Sequence, residues 1–358
     1  MVSPLLRHAI APATTVNITG KPMRYLSVLI GLFGLLVTAF PVQAAENPNG
    51  YISVIVENDV MVTDTDRHYS NGFRVDWAPS TQYELLGLTG WLNSLLPQRP
   101  AGSDPRLVLQ FGQNMYTPSD ITRTDLIEDD RPFAGWLYMT AGVELATDRW
   151  TDQIDLTLGI VGPASQAGRL QRAWHRWFDF RPANGWPNQL RNEPGLNLSY
   201  RRQWHLPLGK QGRGPMVSVH PHAGVSIGNV FTNAATGLML QFSKGTAWRT
   251  PPRIAPTSLG SSIIGPTGGG FGWSFFVGVE GRAVARNIFL DGNSFRNSHS
   301  VHSKVLVGDL TAGFLMVLDG TLGLPPVRLS FSYTLRSKQF DGQDGSNRFG
   351  AVSITFAY

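Results

Sequence analysis

The chain lacks cysteine, carries little charge and has no long apolar run after its first 44 residues. None of its 358 residues is cysteine, so no disulfide forms, which fits a periplasm-facing protein that avoids oxidation chemistry. Only 15% of the residues are charged, a low share for a soluble enzyme. A membrane helix needs roughly 18–20 apolar residues. The mature chain therefore either stays soluble or crosses a bilayer as strands.

The first 44 residues have the pattern of a signal peptide. Lys21 and Arg24 precede a mostly apolar stretch at residues 25–40. Small residues follow, in the small-x-small pattern that predicts cleavage before Ala45. We therefore predict that residues 1–44 are removed during export.

Removal of this segment leaves a nearly neutral protein. Three basic residues and no acidic residue are lost, so the formal charge falls from +5 to +2. This balance gives no case for nucleic-acid binding, which depends on neutralising many phosphates. Met23 is a second candidate for the true start of the chain.

Alternating apolar and polar side chains recur through the mature chain, in segments of about ten residues that turn-rich stretches separate. Val327, Leu329 and Phe331, for example, alternate with Arg328 and Ser330. We predict twelve strands, near residues 50–59, 70–79, 106–116, 133–147, 152–162, 192–205, 215–228, 233–243, 271–289, 301–318, 327–338 and 348–358. An even number of strands with both ends on the periplasmic side suits a closed antiparallel barrel.

The last strand and the composition both favour the outer membrane. Residues 353–358 alternate small or polar with apolar side chains and end on Tyr358, as outer-membrane barrels do. The chain also has 39 Gly, 19 Phe and 9 Tyr, which is ordinary for a barrel with an aromatic girdle. We predict an all-β, twelve-stranded transmembrane barrel over residues 45–358, delivered to the barrel assembly machinery through Tyr358.

One segment between the strands is predicted to be helical. Residues 167–178 have no interior proline, and Leu170, Trp174, Trp177 and Phe178 recur at helical spacing. His175 lies beside this apolar stripe. If the first strand runs outward, the extracellular side receives the connections at residues 60–69, 117–132, 163–191 and 290–300.

Four polar clusters lie at the extracellular ends of the predicted strands. They are Glu57-Asn58-Asp59; Asp66-Arg67-His68-Tyr69-Ser70-Asn71-Gly72; Tyr116-Thr117-Pro118-Ser119 with Asp130-Arg131-Pro132-Phe133; and Gly162-Pro163 with His175 and the run from Gly185 to Glu193. A barrel gathers them at one rim, although 135 residues separate Asn58 from Glu193. We therefore expect a functional site there.

The order and spacing of these motifs resemble the LpxR family of outer-membrane lipid A 3′-O-deacylases. The resemblance is carried by Glu57-Asn58-Asp59, Tyr116-Thr117-Pro118-Ser119, Asp130-Arg131-Pro132-Phe133, Gly162-Pro163 with His175, and Trp186, Gln189 and Asn192. It implies a twelve-stranded barrel that removes acyloxyacyl chains from lipopolysaccharide in the outer leaflet. It also implies dependence on calcium, with a histidine that activates water and a calcium ion that stabilises the oxyanion.

The resemblance assigns roles to individual residues. His175 corresponds to the general base, and Asp59 to a calcium ligand with Asn58 next to it in the site. Ser70 falls where a relative carries threonine, so a hydroxyl is kept. Arg123 falls near a basic pair that would face the phosphates of lipid A.

Some positions need a structural explanation. Six residues after His175 the family has a supporting glutamate, whereas this chain has Arg181, so Asp179 or Glu193 is expected to orient the imidazole instead. Strict alternation puts Asn58 and Asp59 on opposite faces, and they share a site only if the strand twists or bulges there.

Arg131 has two interpretations. It would add a cationic group to a lipid A pocket that Arg123, Arg176, Trp174 and Trp177 also line. Since it follows Asp130, it would otherwise form a structural ion pair that braces the loop.

Two other functions stay open. His68-Tyr69-Ser70-Asn71-Gly72 resembles a stretch of outer-membrane phospholipase A, in which Ser70 would be the nucleophile and His68 its base. The chain would otherwise be a non-catalytic, lipopolysaccharide-binding barrel, an interpretation that Arg181 favours. A general-diffusion pore is not expected, because side chains largely fill the lumen of a twelve-stranded barrel.

Overall fold

A computed structural model describes the part of the chain that contains the predicted strands. It covers residues 50–59, 61–62, 67–79, 84–85, 87–97, 105–208, 215–245, 247, 270–319 and 326–358. The predicted signal peptide, its cleavage site and Met23 lie outside the described residues. No helix within those residues is both long enough and apolar enough to span a membrane.

Within the described residues, thirteen antiparallel strands form one sheet, with three α-helices in its connections. The strands are β1 (Tyr51–Asn58), β2 (His68–Ala78), β3 (Arg106–Thr117), β4 (Ala134–Ala146), β5 (Trp150–Val161), β6 (Glu193–Trp204), β7 (Leu206–Leu208), β8 (Met216–Gly228), β9 (Phe231–Lys244), β10 (Gly270–Asn287), β11 (Leu306–Asp319), β12 (Val327–Arg336) and β13 (Asn347–Ala357). The helices are α1 (Leu88–Ser94), α2 (Ala167–Phe178) and α3 (Ile288–Asp291).

The sheet closes into a barrel. β1 pairs with β13 along its whole length, from Tyr51 opposite Ala357 to Asn58 opposite Gly350. On the other side β6 pairs with β8, and β7 pairs with β8 in the same register. β6 and β7 therefore form one wall strand that is interrupted at His205, and the prediction of twelve strands is confirmed.

Both ends of the chain's barrel domain meet at one end of the cylinder. The amide of Gly50 donates to the carbonyl of Tyr358, and the amide of Tyr358 donates back, at 3.2 and 3.0 Å. The indole of Trp77 also donates to the hydroxyl of Tyr358. We call the opposite end, where β1 finishes at Asn58, the distal rim.

One predicted boundary is wrong. The strand expected from residue 301 begins only at Leu306, because the preceding residues are tied to the loops of the distal rim. Val301 donates to the carbonyl of Leu290 at 2.8 Å, and Ser303 forms an isolated bridge with Phe340. The segment thus crosses the rim before it enters the wall.

The two faces of the wall have opposite chemistry. Outward side chains include exposed apolar residues, among them Phe111, Met139, Leu158, Leu196, Ile227, Leu240, Phe275, Val279 and Leu306. Inward side chains are buried and largely polar, among them Arg74, Asp76, Gln110, Asp155, Arg201, His222, Glu280 and Thr334. This is the pattern of a barrel whose outer surface faces lipid and whose interior is packed with polar groups.

Charged side chains inside the barrel are joined in a network. The carboxylate of Asp309 binds Arg336 at 2.7 Å and Arg282 at 2.8 Å. Arg282 also approaches Glu280, which lies 3.2 Å from His222. These groups fill the lumen, and each charge is offset by a neighbour, as burial requires.

Aromatic side chains fill the lumen just below the distal rim. Phe289 of α3 enters this layer, where its ring stacks on Tyr116 at 4.0 Å between centroids. Tyr69, Trp136 and Phe349 belong to the same buried cluster. The distal end of the interior is therefore packed, which agrees with the expectation that the barrel is not a general-diffusion pore.

Asp309→Ala should destabilise the barrel strongly, because the substitution leaves Arg336 and Arg282 buried without their shared carboxylate. Removal of one partner from a buried ion pair typically costs about 3–5 kcal/mol. The measurement is urea unfolding in detergent micelles, followed by tryptophan fluorescence and by loss of the heat-modifiable band on a gel.

Asp341→Ala is the matched control, since Asp341 binds Lys304 and His302 at the exposed surface. It should leave the unfolding midpoint almost unchanged. Equal midpoints for the two variants would contradict the structural role assigned to the interior network.

Candidate functional site

Helix α2 lies on the outside of the barrel wall. Tyr116 and Trp136 point into the lumen, so their neighbours Met115 and Gly135 point outward. The outward side chain of Met115 is buried in a cluster that includes Ala167, the first residue of α2. The helix therefore packs against the face of β3 and β4 that, further along the wall, is exposed to lipid.

The approach of the chain to the wall depends on a glycine. A Cβ atom at Gly135 would lie 2.2 Å from Cβ of Ala167 and 2.3 Å from Oγ of Ser165, closer than atoms can pack. The side-chain amide of Gln113, on the same outward face, donates to the carbonyl of Ser165 at 2.6 Å. The turn before α2 is thus fixed directly on the wall.

The buried face of α2 is small and polar. It consists of Ala167, Gly168, Gln171 and His175. The indole of Trp186 donates to Gln171 at 2.7 Å, and Gly168 allows the same ring to pack against the helix. His175 thus faces inward from a helix whose predicted bounds, residues 167–178, are confirmed.

A backbone carbonyl orients the imidazole of His175. Its Nδ1 lies 2.5 Å from the carbonyl oxygen of Arg181. A carbonyl only accepts hydrogen bonds, so Nδ1 carries the proton and Nε2 keeps its lone pair. The ring also packs edge-on against Phe180 at 5.5 Å.

This contact replaces the expected carboxylate. Position 181 supports His175 through its main chain, and the arginine side chain is exposed. Glu193, one of the two expected substitutes, instead accepts hydrogen bonds from Asn229, Asn293 and Ser294 at 2.8–3.0 Å. Asp179, the other expected substitute, is the C-terminal capping residue of α2. Its backbone has the left-handed conformation, with φ of 56°.

Asn58 lies on the outward face of the wall. Glu57 points into the lumen, where it accepts a hydrogen bond from Tyr69 at 2.5 Å. β1 ends at Asn58, and Asp59 follows in a bend, so alternation no longer decides where its side chain points. Asp59 is 1% exposed, and its Oδ2 accepts from the amide of Arg67 at 2.6 Å.

β1, where a twist or bulge was expected, pairs in regular register up to Asn58, and a bulge lies on β2 instead. The pairing of β2 with β3 shifts between Tyr69 and Asn71, which makes Ser70 the extra residue. Tyr69 points into the lumen, whereas the hydroxyl of Ser70 pairs with that of Thr117. Thr117 follows the inward Tyr116 and therefore lies on the outward side.

The wall thus brings polar groups together outside the barrel. The distal ends of three adjacent strands, β1, β2 and β3, carry Asn58, Ser70 and Thr117. Helix α2 packs on β3 and on the next strand, β4. Thr117 was not singled out by the sequence, although it belongs to the quoted motif Tyr116-Thr117-Pro118-Ser119. The sequence does not show where Thr117 lies relative to the bulge at Ser70.

The alternative pair of Ser70 and His68 is not joined. The ring of His68 packs edge-on against Phe340 at 6.0 Å, with a backbone φ of 69°. Among the described residues no hydrogen bond links it to Ser70, whose partner is Thr117.

The two candidate arginines lie in different environments. Arg123 is exposed and pairs with Asp125, and this hydrogen bond lowers the pKa of the Asp125 carboxyl. Its loop is joined to the segment after α2, since Asn184 and Asn188 donate to the carbonyls of Thr122 and Thr124. Arg123 therefore lies at the surface beside the end of the helix.

Arg131 lies inside the barrel. It is 1% exposed, its guanidinium lies over the ring of Tyr116 at 4.9 Å, and it donates to the carbonyl of Phe289 at 3.4 Å. Burial lowers the pKa of Arg131 to about 10, so it stays protonated at neutral pH. This location favours a structural role over a contact with substrate. The expected ion pair is not what provides that role, since the carboxylate of Asp130 accepts from the backbone amides of Arg131 and Ser119, both at 2.7 Å.

Comparison with known proteins identifies the family. A family model described as "Outer membrane protein LpxR" matches residues 29–358. The chain belongs to the LpxR family. Its membership and its barrel fold make it an integral protein of the outer membrane.

Solved structures extend this comparison. LpxR from Salmonella typhimurium is 18% identical, with 86% of this chain and 100% of that chain covered and a TM-score of 0.69, so the two share a fold. The β domain of the Bordetella autotransporter BrkA is 10% identical over 87% of this chain and 100% of that chain, with a TM-score of 0.41. No curated protein sequence matches the chain.

Proposed function

We propose that this member of the LpxR family is a lipid A deacylase. It hydrolyses an ester-linked acyl chain, the 3′-acyloxyacyl group, of lipopolysaccharide in the outer leaflet. The observation that carries the proposal is the position of His175 on the buried face of a helix that packs on the outward side of the wall. A histidine placed there meets a lipid that diffuses within the membrane, whereas a site in the lumen would not.

His175 acts as the general base. Its Nε2 takes a proton from water, whose oxygen then bonds to the ester carbonyl carbon. The tetrahedral intermediate collapses with loss of the alkoxide, and the imidazolium returns the proton to that alkoxide. The products are a free fatty acid and a lipid hydroxyl. The carbonyl of Arg181 holds the required tautomer throughout.

The polar groups on the wall position the ester. Asn58 and the hydroxyls of Ser70 and Thr117 offer donors and acceptors beside a lipid-facing surface. Arg123 lies at the exposed end of the same region, where its charge suits a phosphate of lipid A. This part of the surface thus combines cationic and apolar groups, as a phosphorylated glycolipid requires.

The donor chemistry at Asp59 fits calcium. Calcium takes six to eight oxygen ligands, including carboxylates, amide carbonyls and water. Asp59 supplies a buried carboxylate, and Asn58 lies next to it in the chain. The described residues contain no group of three or more His, Cys, Asp or Glu side chains arranged for a metal, so the other ligands would be neutral oxygens. When bound, calcium would supply positive charge for the developing oxyanion.

A serine esterase using Ser70 and His68 is less well supported. The hydroxyl of Ser70 pairs with Thr117, and His68 packs against Phe340. Arg181 favoured a non-catalytic barrel in the sequence, but the backbone carbonyl of that residue supplies a hydrogen-bond partner for Nδ1 of His175.

His175→Ala should abolish acyl release while the barrel stays folded. Loss of a general base typically lowers the rate by about 10²–10⁴-fold. Arg181→Ala should retain activity, because the carbonyl that orients His175 remains. The measurement is mass spectrometry of lipid A from cells that express each variant, with heat-modifiability as the folding check. His302→Ala, at an exposed histidine of the same rim, is the matched control.

The same assay separates the alternatives. Ser70→Ala should reduce activity only modestly if water attacks, whereas a serine nucleophile would make the loss complete. If the parent protein leaves the acylation pattern unchanged, the non-catalytic interpretation holds. Full activity of His175→Ala would remove the assigned base.

Asp59→Asn should lower the affinity for calcium, because the substitution removes the negative charge of the ligand but keeps the size of the side chain. Activity of the variant should recover when calcium is raised, and chelation should stop the parent enzyme. Both effects are measured by following the deacylation rate as the calcium concentration is varied. A parent enzyme that is indifferent to chelator would contradict the assignment of Asp59.

A further inference from the structure

The exposed surface of α2 is divided into two flanks. At about 100° per residue, the buried positions of α2 form one face, and the residues on either side of it differ sharply. Leu170, Trp174 and Trp177 lie on one flank, and Arg169, Arg172 and Arg176 lie on the other. Leu170 is 49% exposed and Trp177 is 78% exposed. The apolar stripe of this helix therefore points away from the protein's own core.

The aromatic groups of this flank contact one another but cover little of Trp177. Trp174 packs on Phe178 at 4.5 Å, and Phe178 stacks near Phe180 at 6.1 Å. The three arginines are all exposed, and none of them forms a salt bridge with another described residue. Apolar and cationic surface on one short helix thus has no partner within the described part of the protein.

The position of α2 on the wall indicates what covers this surface. The helix packs over Met115, and four residues further along β3 the outward Phe111 is exposed to lipid. At about 3.3 Å per residue, these positions are only about 13 Å apart along the strand. Elsewhere, exposed Leu196, Ile227 and Leu306 show that the apolar belt extends to the distal ends of β6, β8 and β11.

We infer that α2 is an interfacial helix that lies in the surface of the outer leaflet. Its Leu170, Trp174 and Trp177 flank enters the acyl region, and its Arg169, Arg172 and Arg176 flank binds lipid phosphates. Tryptophan favours this boundary, and a helix with one basic and one apolar side lies in the plane of an acidic membrane. The occupant is an anionic phosphorylated lipid, which meets both chemistries at once. The inference does not depend on catalysis, since a silent barrel would dock in the same way.

Single cysteines provide a clean test, because the protein has none of its own. Leu170→Cys, Trp177→Cys and Arg172→Cys are each spin-labelled, and the full barrel is reconstituted into phosphatidylcholine vesicles that contain lipid A. The collision rates of each spin label with oxygen and with a water-soluble nickel complex show how deeply the label lies in the membrane. Met139→Cys on the outward wall is the lipid reference, and Asp344→Cys, at a side chain that is 91% exposed, is the aqueous reference.

Labels at Leu170 and Trp177 should match the lipid reference, while the label at Arg172 should be accessible to nickel. Nickel accessibility at Trp177 equal to that at Asp344 would overturn the inference. Dipolar broadening between labels at Trp177 would also overturn it, because a second copy of the chain would then cover the flank.

The arginines are tested by the combined variant Arg169→Gln, Arg172→Gln and Arg176→Gln. Each basic residue near an acidic membrane surface strengthens binding about fivefold. The label at Leu170 should therefore move toward water in lipid A vesicles when the three charges are removed. An unchanged depth would overturn the role assigned to the phosphates.

Discussion

The close contact between the turn before α2 and the outward face of the wall determines where the functional site lies. Gly135 leaves room for Ser165 and Ala167, and Gln113 anchors the carbonyl of Ser165. Because this contact is outside the cylinder, His175 lies on a helix that packs on the outward side of the wall and not in the lumen. The position of the candidate base, its access to substrate and the exposure of the helix flanks all follow from it.

The interior of the barrel supports this arrangement without taking part in it. The carboxylates of Asp309 and Glu280 offset the charges of Arg282 and Arg336 in the lumen, and Phe289 packs with Tyr116 below the distal rim. A packed interior offers no route for a large amphiphile. Substrate must instead arrive laterally, through the leaflet in which it already resides. The same reasoning gives Arg131 a structural role, since its guanidinium lies over Tyr116 within this layer.

The sequence was a good guide to the wall. Alternation with a period of two located the strands, because one face meets lipid and the other a polar interior. The helix at residues 167–178 was also predicted from its spacing. The position of this helix on the barrel was not predicted. Periodicity shows that a helix has an apolar stripe, but it does not show that this stripe faces lipid while the polar face packs against the protein.

The details of the site depend on features that side-chain patterns do not encode. The bulge at Ser70 moves one hydroxyl relative to its neighbours, and only the pairing of β2 with β3 reveals it. The partner of His175 is a backbone carbonyl, which any residue at position 181 supplies. The sequence therefore suggested a missing carboxylate where the fold already provides an acceptor.

The most direct test of this account is an engineered crosslink between the wall and the turn before α2. A Cβ at Gly135 would lie 3.4 Å from Cβ of Ser165, close to the separation of about 3.5–4.5 Å found in disulfides. Gly135→Cys combined with Ser165→Cys, in a protein that has no other cysteine, should form an intramolecular disulfide on oxidation in outer-membrane vesicles. Gly281→Cys with Ser165→Cys is the unpaired control, since no atom approaches a Cβ at Gly281 within 4 Å. Both variants also carry Ala167→Gly, which removes the Cβ that would lie 2.2 Å from the new side chain at position 135. We expect a mass lower by two hydrogens only for the variant with cysteines at positions 135 and 165. Two freely alkylated thiols in that variant would show that the turn does not lie against the wall.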